Sequence, residues 1–190
     1  MKSAIIFLFA LAVALSLSGC ATPPANYVAP RTAQIDAPFE LRGRVAIKHD
    51  GERFSAGLSW KHHTTEDEIL LIAPLGQTIA KLLRNSSGVT LETNGTINRA
   101  DSVETLTEQE LGWQFPLSGL SYWVVALPAP ASPSAIQHNA DGQMTALAQD
   151  GWKIHYSRYV AVTANSLPLR LTLQREQLAI TILIDEWKQP

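Results

Sequence analysis

The chain has 190 residues and a single cysteine, Cys20, with no second thiol to pair with it. A disulfide framework is therefore excluded, and the lone sulfur needs another purpose. No apolar run reaches the roughly 20 residues of a membrane-spanning helix; the longest, Ala4 to Leu17, stops short. Charge is sparse and nearly balanced, with 15 Lys and Arg against 17 Asp and Glu and a formal net charge of -2. Without a basic stripe, no nucleic-acid partner is expected.

The usual marks of catalysis are also missing. His62-His63 lacks a Glu-x-x-His partner and stands beside the acidic stretch Glu66-Asp67-Glu68, which reads as a solvated loop. His49 and His138 fall at expected turns and His155 on the polar face of a strand, with no Cys or His at ligand spacing. Gly57-Leu58-Ser59-Trp60-Lys61 lacks the second glycine of a nucleophile elbow and sits within a strand pattern. Asp185-Glu186 is an acidic pair in a strand, where neighbouring side chains face opposite ways and cannot form a dyad. Phosphate-cradling glycine loops are absent too. No catalytic residue, metal site or cofactor is expected, and the chain does not read as an enzyme.

What is present begins at the N-terminus. Met1-Lys2 gives a positive start, Ala4 to Leu17 is almost wholly apolar, and Ser18-Gly19 supplies small residues before Cys20. That is the architecture of an export signal over residues 1–19. Leu17-Ser18-Gly19-Cys20 resembles the lipobox of bacterial lipoproteins, which implies acylation of Cys20 and cleavage just before it. An ordinary secretory signal with an accidental cysteine is the plainer alternative. Several acyl chains on Cys20 would hold the mature protein on a membrane, where one alone is marginal. Residues 20–38 carry Pro23, Pro24, Pro30 and Pro38 without an apolar period, which predicts an extended tether. A folded domain over residues 39–190 follows, long enough for one sizeable core.

Within that domain, alternation predicts antiparallel strands. Leu41, Gly43, Val45 and Ile47 alternate with Arg42, Arg44, Ala46 and Lys48, and Phe54, Ala56, Leu58 and Trp60 follow after the turn His49-Asp50-Gly51-Glu52. Ile69 to Ile72, Thr78 to Leu83 and Val89 to Thr93 read as further strands, with Asn94-Gly95 as a hairpin turn. Asp101 with Glu104 resembles a capping box opening a helix, and Leu120, Trp123, Val124 and Leu127 form the stripe of a second helix ended by Pro128. Strands return at Trp152, Ile154 and Tyr156, at Leu167 to Leu173, and at Leu178 to Ile184. The fold class is mainly β with α. Either a strongly curved sheet closed by helices or an α+β sandwich with a solid core fits the alternation.

The tryptophans Trp60, Trp113, Trp123, Trp152 and Trp187 are either core aromatics or the walls of a lipid-sized cavity. Pro74-Leu75-Gly76 puts a large apolar side chain at a turn, where it need not face the core. Buried in lipid, one leucine contributes about 1.5 to 3 kcal/mol, enough for a transient contact and too little for an anchor.

Taken together, these residues resemble the LolB family of outer-membrane receptors, which accept lipoproteins from a periplasmic carrier and insert them into the outer membrane. The likeness runs through Leu41-Arg42-Gly43-Arg44-Val45 with Trp60, Ala73-Pro74-Leu75-Gly76, Pro116-Leu117 with Leu120, and Tyr122-Trp123 to Leu127-Pro128. It continues in Gly151-Trp152-Lys153-Ile154-His155-Tyr156, Tyr159, Leu167-Pro168 and Trp187. The resemblance implies an unclosed antiparallel β-barrel with a helical lid over a hydrophobic cavity that holds cargo acyl chains. It also implies lipidation at Cys20, Ala21 as an outer-membrane address, a periplasm-facing position, and Leu75 as the loop residue that passes cargo to the bilayer. The implied partners are a LolA-like periplasmic carrier, cargo lipoproteins and outer-membrane lipid, for a protein expected to act as a monomer. Many relatives carry a helix ahead of the first strand, whereas Ala21 to Pro38 is unpatterned, so a covering for the first strand's edge is not implied here. Alternation places Val45, Ile47, Phe54, Leu58, Trp60, Trp123, Trp152, Ile154, Leu171 and Ile182 on the cavity lining. A structural envelope lipoprotein that binds a protein partner and carries no lipid remains the other reading.

Overall fold

The computed structural model describes residues 37–188. Alternating burial in the strands makes one face of a sheet apolar and the other wet, so the chain curls that face inward. Six strands come first: β1 (Phe39–His49), β2 (Glu52–His63), β3 (Glu66–Ile72), β4 (Thr78–Asn85), β5 (Gly88–Thr93) and β6 (Thr96–Ala100). Two helices, α1 (Val103–Leu111) and α2 (Leu117–Trp123), cross over. Five strands return: β7 (Ser134–His138), β8 (Met144–Gln149), β9 (Trp152–Tyr159), β10 (Pro168–Arg175) and β11 (Leu178–Lys188).

The strands form one antiparallel sheet in the order β6-β5-β4-β3-β2-β1-β11-β10-β9-β8-β7. Both halves are antiparallel meanders, and the last strand returns beside the first. The barrel is unclosed, with β6 and β7 as its edges. β1 therefore lies between β2 and β11, so the edge of the first strand is covered by the last one. Among the described residues no helix is long and apolar enough to cross a membrane.

Register explains how one alternation serves two purposes. The inward row Phe54, Ile47, Ile180, Leu173, Ile154 and Leu147 runs across six strands from β2 to β8. Its neighbours in the β8 to β10 half are sealed by α2, whose Trp123 is 1% exposed and lies 6.4 Å from Trp152, ring centre to ring centre. The β1 to β5 half is not filled in this way.

The helices start and stop for local reasons. Ser102, not Asp101, caps α1: its hydroxyl accepts the Thr105 N–H at 3.1 Å, which corrects the expected capping box. Gly112 ends α1 in the left-handed region at φ 76°, its N–H bonded to the Glu108 carbonyl. α2 ends at Trp123 and turns before Leu127, so the predicted stripe outruns the helix. Glu104 accepts from the Ser118 N–H and hydroxyl at 3.1 and 2.9 Å, and the Thr107 hydroxyl oxygen accepts the Phe115 N–H at 2.8 Å. These bonds tie α1 and α2 into one lid.

The crossover is fastened to the sheet by Gln149, a buried amide. Its oxygen accepts from Trp123 Nε1 and the Ala129 N–H at 2.8 and 2.9 Å, and its Nε2 donates to the Ala129 and Ser132 carbonyls at 2.7 and 2.9 Å. Nothing in the spacing of β7 and β8 announces them. All of β7 is exposed, and β8 buries Gln149 where alternation would ask for an apolar residue.

A bulge sits where β1 meets β11. Arg42 pairs with Glu186 and Gly43 with Ile184, leaving Asp185 as the extra residue. Asp185 and Glu186 are consequently both exposed, where simple alternation predicts opposite faces, and Asp185 takes Arg44 at 3.1 Å. A Cβ on Gly43 would stand 2.0 Å from the Leu183 carbonyl oxygen. Gly43→Ala is expected to force the two backbones apart and cost about 2 kcal/mol or more, read as a lowered denaturant midpoint at unchanged slope.

Candidate functional site

The half of the barrel that α2 leaves unfilled holds a cavity of about 680 Å³. Its walls are Val45 and Ile47 from β1, Leu58 and Trp60 from β2, Ile69 and Leu71 from β3, Ile79, Ala80 and Leu82 from β4, and Leu91 from β5. Leu111, Trp113, Phe115 and Leu120 roof it from the lid. Phe54, Thr93, Thr107 and Ile182 also line it.

Burial along β2 gives the cavity a direction: Phe54 is 42% exposed, Leu58 6% and Trp60 1%. The open end lies at the β1–β2 turn, where His49, Glu52, Arg53 and Asn94 supply a polar rim. In an antiparallel meander the turns alternate between the two ends, so the β1–β2, β3–β4 and β5–β6 turns share this end. Leu75 stands on the middle one and is 91% exposed. Gly76 N–H donates to the Ala73 carbonyl at 2.9 Å, and Gly76 takes φ 87°, while Pro74 sets the second position of the turn. The loop is held in shape and the leucine points into solvent. Phe54, Ile97 and Leu111, each more than two-fifths exposed, belong to elements that end at the same rim.

The closed end is polar and buried. The Asp67 side chain, wholly buried, accepts from Trp60 Nε1 at 2.8 Å, from His62 Nδ1 at 2.7 Å and from Arg84 Nε at 2.6 Å. Phe39 packs its ring on His62 at 4.7 Å and against Trp60 at 5.0 Å. Burial pushes the Asp67 carboxyl up, but the hydrogen bonds from His62 and Trp60 and the positive charges of His62 and Arg84 outweigh it, so the group is held below its ordinary value near 3.8. His62 is thus a buried strand residue, contrary to its reading as a solvated loop, and Asp67 belongs to β3. The cluster is not legible in the sequence, because Arg84 meets Asp67 only through the β3–β4 register. Among the described residues no group of three or more His, Cys, Asp or Glu is placed to hold a metal ion.

Of the ten lining residues expected from alternation, Val45, Ile47, Phe54, Leu58, Trp60 and Ile182 line this cavity. Trp123, Trp152, Ile154 and Leu171 do not, which corrects that expectation. They face inward as alternation says, but in the half where α2 and Gln149 fill the barrel: Trp123 sits on the lid itself, Ile154 and Leu171 are fully buried, and Trp152 packs under Arg175. Trp113, one of the five tryptophans offered as core or cavity wall, lines it as well, whereas the walls on β3 to β5 carry no such mark. The continuous run Ile69 to Ile72 has no alternation to mark its inward face. Cys20, with the signal segment and most of the tether, lies outside the described residues.

Residues 37–187 match the family described as Outer membrane lipoprotein LolB. The Outer-membrane lipoprotein LolB of Chromobacterium violaceum is 39% identical over 179 residues, covering 94% of this chain and 96% of that one. Its counterpart from Thiobacillus denitrificans is 35% identical over 179 residues, covering 93% and 94%. Among solved structures, a DUF1329 family protein from Desulfovibrio piger superposes with a TM-score of 0.52 at 10% identity, covering 82% of this chain and 87% of that one, a likeness of fold alone.

Proposed function

The chain belongs to the LolB family of outer-membrane lipoproteins, and from that premise we propose that its cavity carries the acyl chains of a cargo lipoprotein on their way from a LolA-like carrier into the outer membrane. The observation that carries the reading is the 680 Å³ apolar cavity, open at one end and closed at the other. At about 30 Å³ for a water-sized group, that is room for roughly twenty such groups, the scale of one long acyl chain. A solid core, which the structural-lipoprotein reading requires, would have no such space.

Transfer follows from differences in affinity. Each methylene removed from water contributes about 0.8 kcal/mol in any apolar host, so carrier, cavity and bilayer differ only in how well they pack the chain. Acyl chains move down that gradient without nucleotide hydrolysis. Cys20, lipidated, holds the protein on the outer membrane facing the periplasm. The tether lets the rim reach the lipid, and Leu75 makes the first contact. One molecule has one cavity and acts as a monomer, and no step calls for a catalytic group.

A fluorescent fatty acid tests the cavity directly, using the chain from residue 20 with Cys20→Ala. Saturable uptake is expected, and Ile79→Glu, a charge on the half-buried wall, is expected to weaken it at least tenfold. Uptake that does not saturate, or that ignores the charge, would contradict the proposal.

A further inference from the structure

We infer that Trp60 is the stop that sets the longest acyl chain the cavity takes in full. The inference rests on the acyl-carrying reading. Trp60 lies six residues further along β2 than Phe54, about 20 Å at the usual strand rise, which is the length scale of a long acyl chain. It is the deepest wall on that strand and is 1% exposed. A chain whose head stays at the polar rim of His49, Glu52, Arg53 and Asn94 sends its methyl end toward this indole.

The indole is not free to swing aside. Its N–H is bonded to Asp67, which His62 and Arg84 hold in turn, and the Phe39 ring stands edge-on behind it. A side chain whose polar atom is pinned on the far side of the wall makes a rigid floor, whereas the aliphatic walls above can shift rotamer. The cavity is therefore soft in width and fixed in depth.

The test is competition by a homologous series of saturated fatty acids against the fluorescent probe. Affinity is expected to rise about fourfold per added methylene, the equivalent of 0.8 kcal/mol, up to a length beyond which nothing more is gained. Trp60→Phe should move that break to longer chains, and Trp60→Leu should move it further, with the slope below it unchanged. Ile79→Ala, which widens the wall near the mouth, should weaken binding at every length and leave the break in place. If Trp60→Leu does not fold, Trp60→Phe carries the test, because it keeps a ring against Phe39 and fills more of the space. A break that stays put in folded Trp60 variants would overturn the floor and leave the acyl reading standing. Absence of saturable binding by the unsubstituted chain would overturn the acyl reading itself.

Discussion

Replacing Asp67 with alanine is expected to lower the stability of the domain by about 3 to 5 kcal/mol, the usual cost of removing one partner from a buried charge pair. For a domain of this size that is a fall in Tm of about 6 to 20 °C. The size follows from what is left behind. Trp60 Nε1, His62 Nδ1 and the Arg84 guanidinium all point at one wholly buried carboxylate and lose it together. Asp67→Asn keeps the shape and one acceptor oxygen, so it should cost less, and the difference measures the charge. The pH dependence has a definite sign. Because the folded carboxyl titrates below its ordinary value near 3.8, its contribution is complete above that pH and is lost as the pH falls through the lowered value. The Tm gap between the unsubstituted chain and Asp67→Asn should persist down to the ordinary carboxyl range and narrow in stronger acid. A gap that closed already near pH 6 would assign the effect to another group.

Leu75→Glu is expected to leave folding and cargo uptake intact and to slow delivery to a bilayer tenfold or more. The side chain is 91% exposed on a turn whose shape is set by Pro74 and Gly76, so the substitution removes no packing and should change stability by no more than about 0.5 kcal/mol. Delivery is different. A leucine that enters lipid contributes about 1.5 to 3 kcal/mol to the contact, and a carboxylate in its place adds a desolvation penalty. Leu75→Phe, which keeps an apolar tip, should restore delivery. The measurement is transfer of labelled lipoprotein from the loaded protein to liposomes, with uptake from the carrier measured separately. Equal loss of uptake and delivery would assign Leu75 to carrier docking instead.

The hairpins, the mainly antiparallel architecture and the exposed turn at Leu75 were legible because each is written locally, in period-two alternation or in Pro and Gly at a bend. What was not legible depends on partners that only the fold brings together. His62 looks like half of a solvated pair until Phe39 covers it and Asp67 bonds to it. Gln149 reads as a break in a strand until the crossover supplies the carbonyls and N–H groups that satisfy it. The bulge at Asp185 shifts the faces by one residue, so that Trp187 and not Glu186 is buried. Cavity lining shows the same limit. Alternation names the inward face of every strand, but whether that face meets a cavity or another side chain depends on where α2 lies. Ile47 and Ile154 occupy the same inward row; one faces open space and the other the packed half beneath Trp123.

A cavity that serves as a way station between a carrier and a membrane must pass cargo in two steps. A carrier loaded with labelled lipoprotein is mixed with the chain from residue 20 carrying Cys20→Ala, and liposomes are added last. Label is expected to move first to this protein and then, without nucleotide, to the liposomes. Label that never leaves the carrier, or that reaches liposomes at the same rate when this protein is omitted, would contradict it.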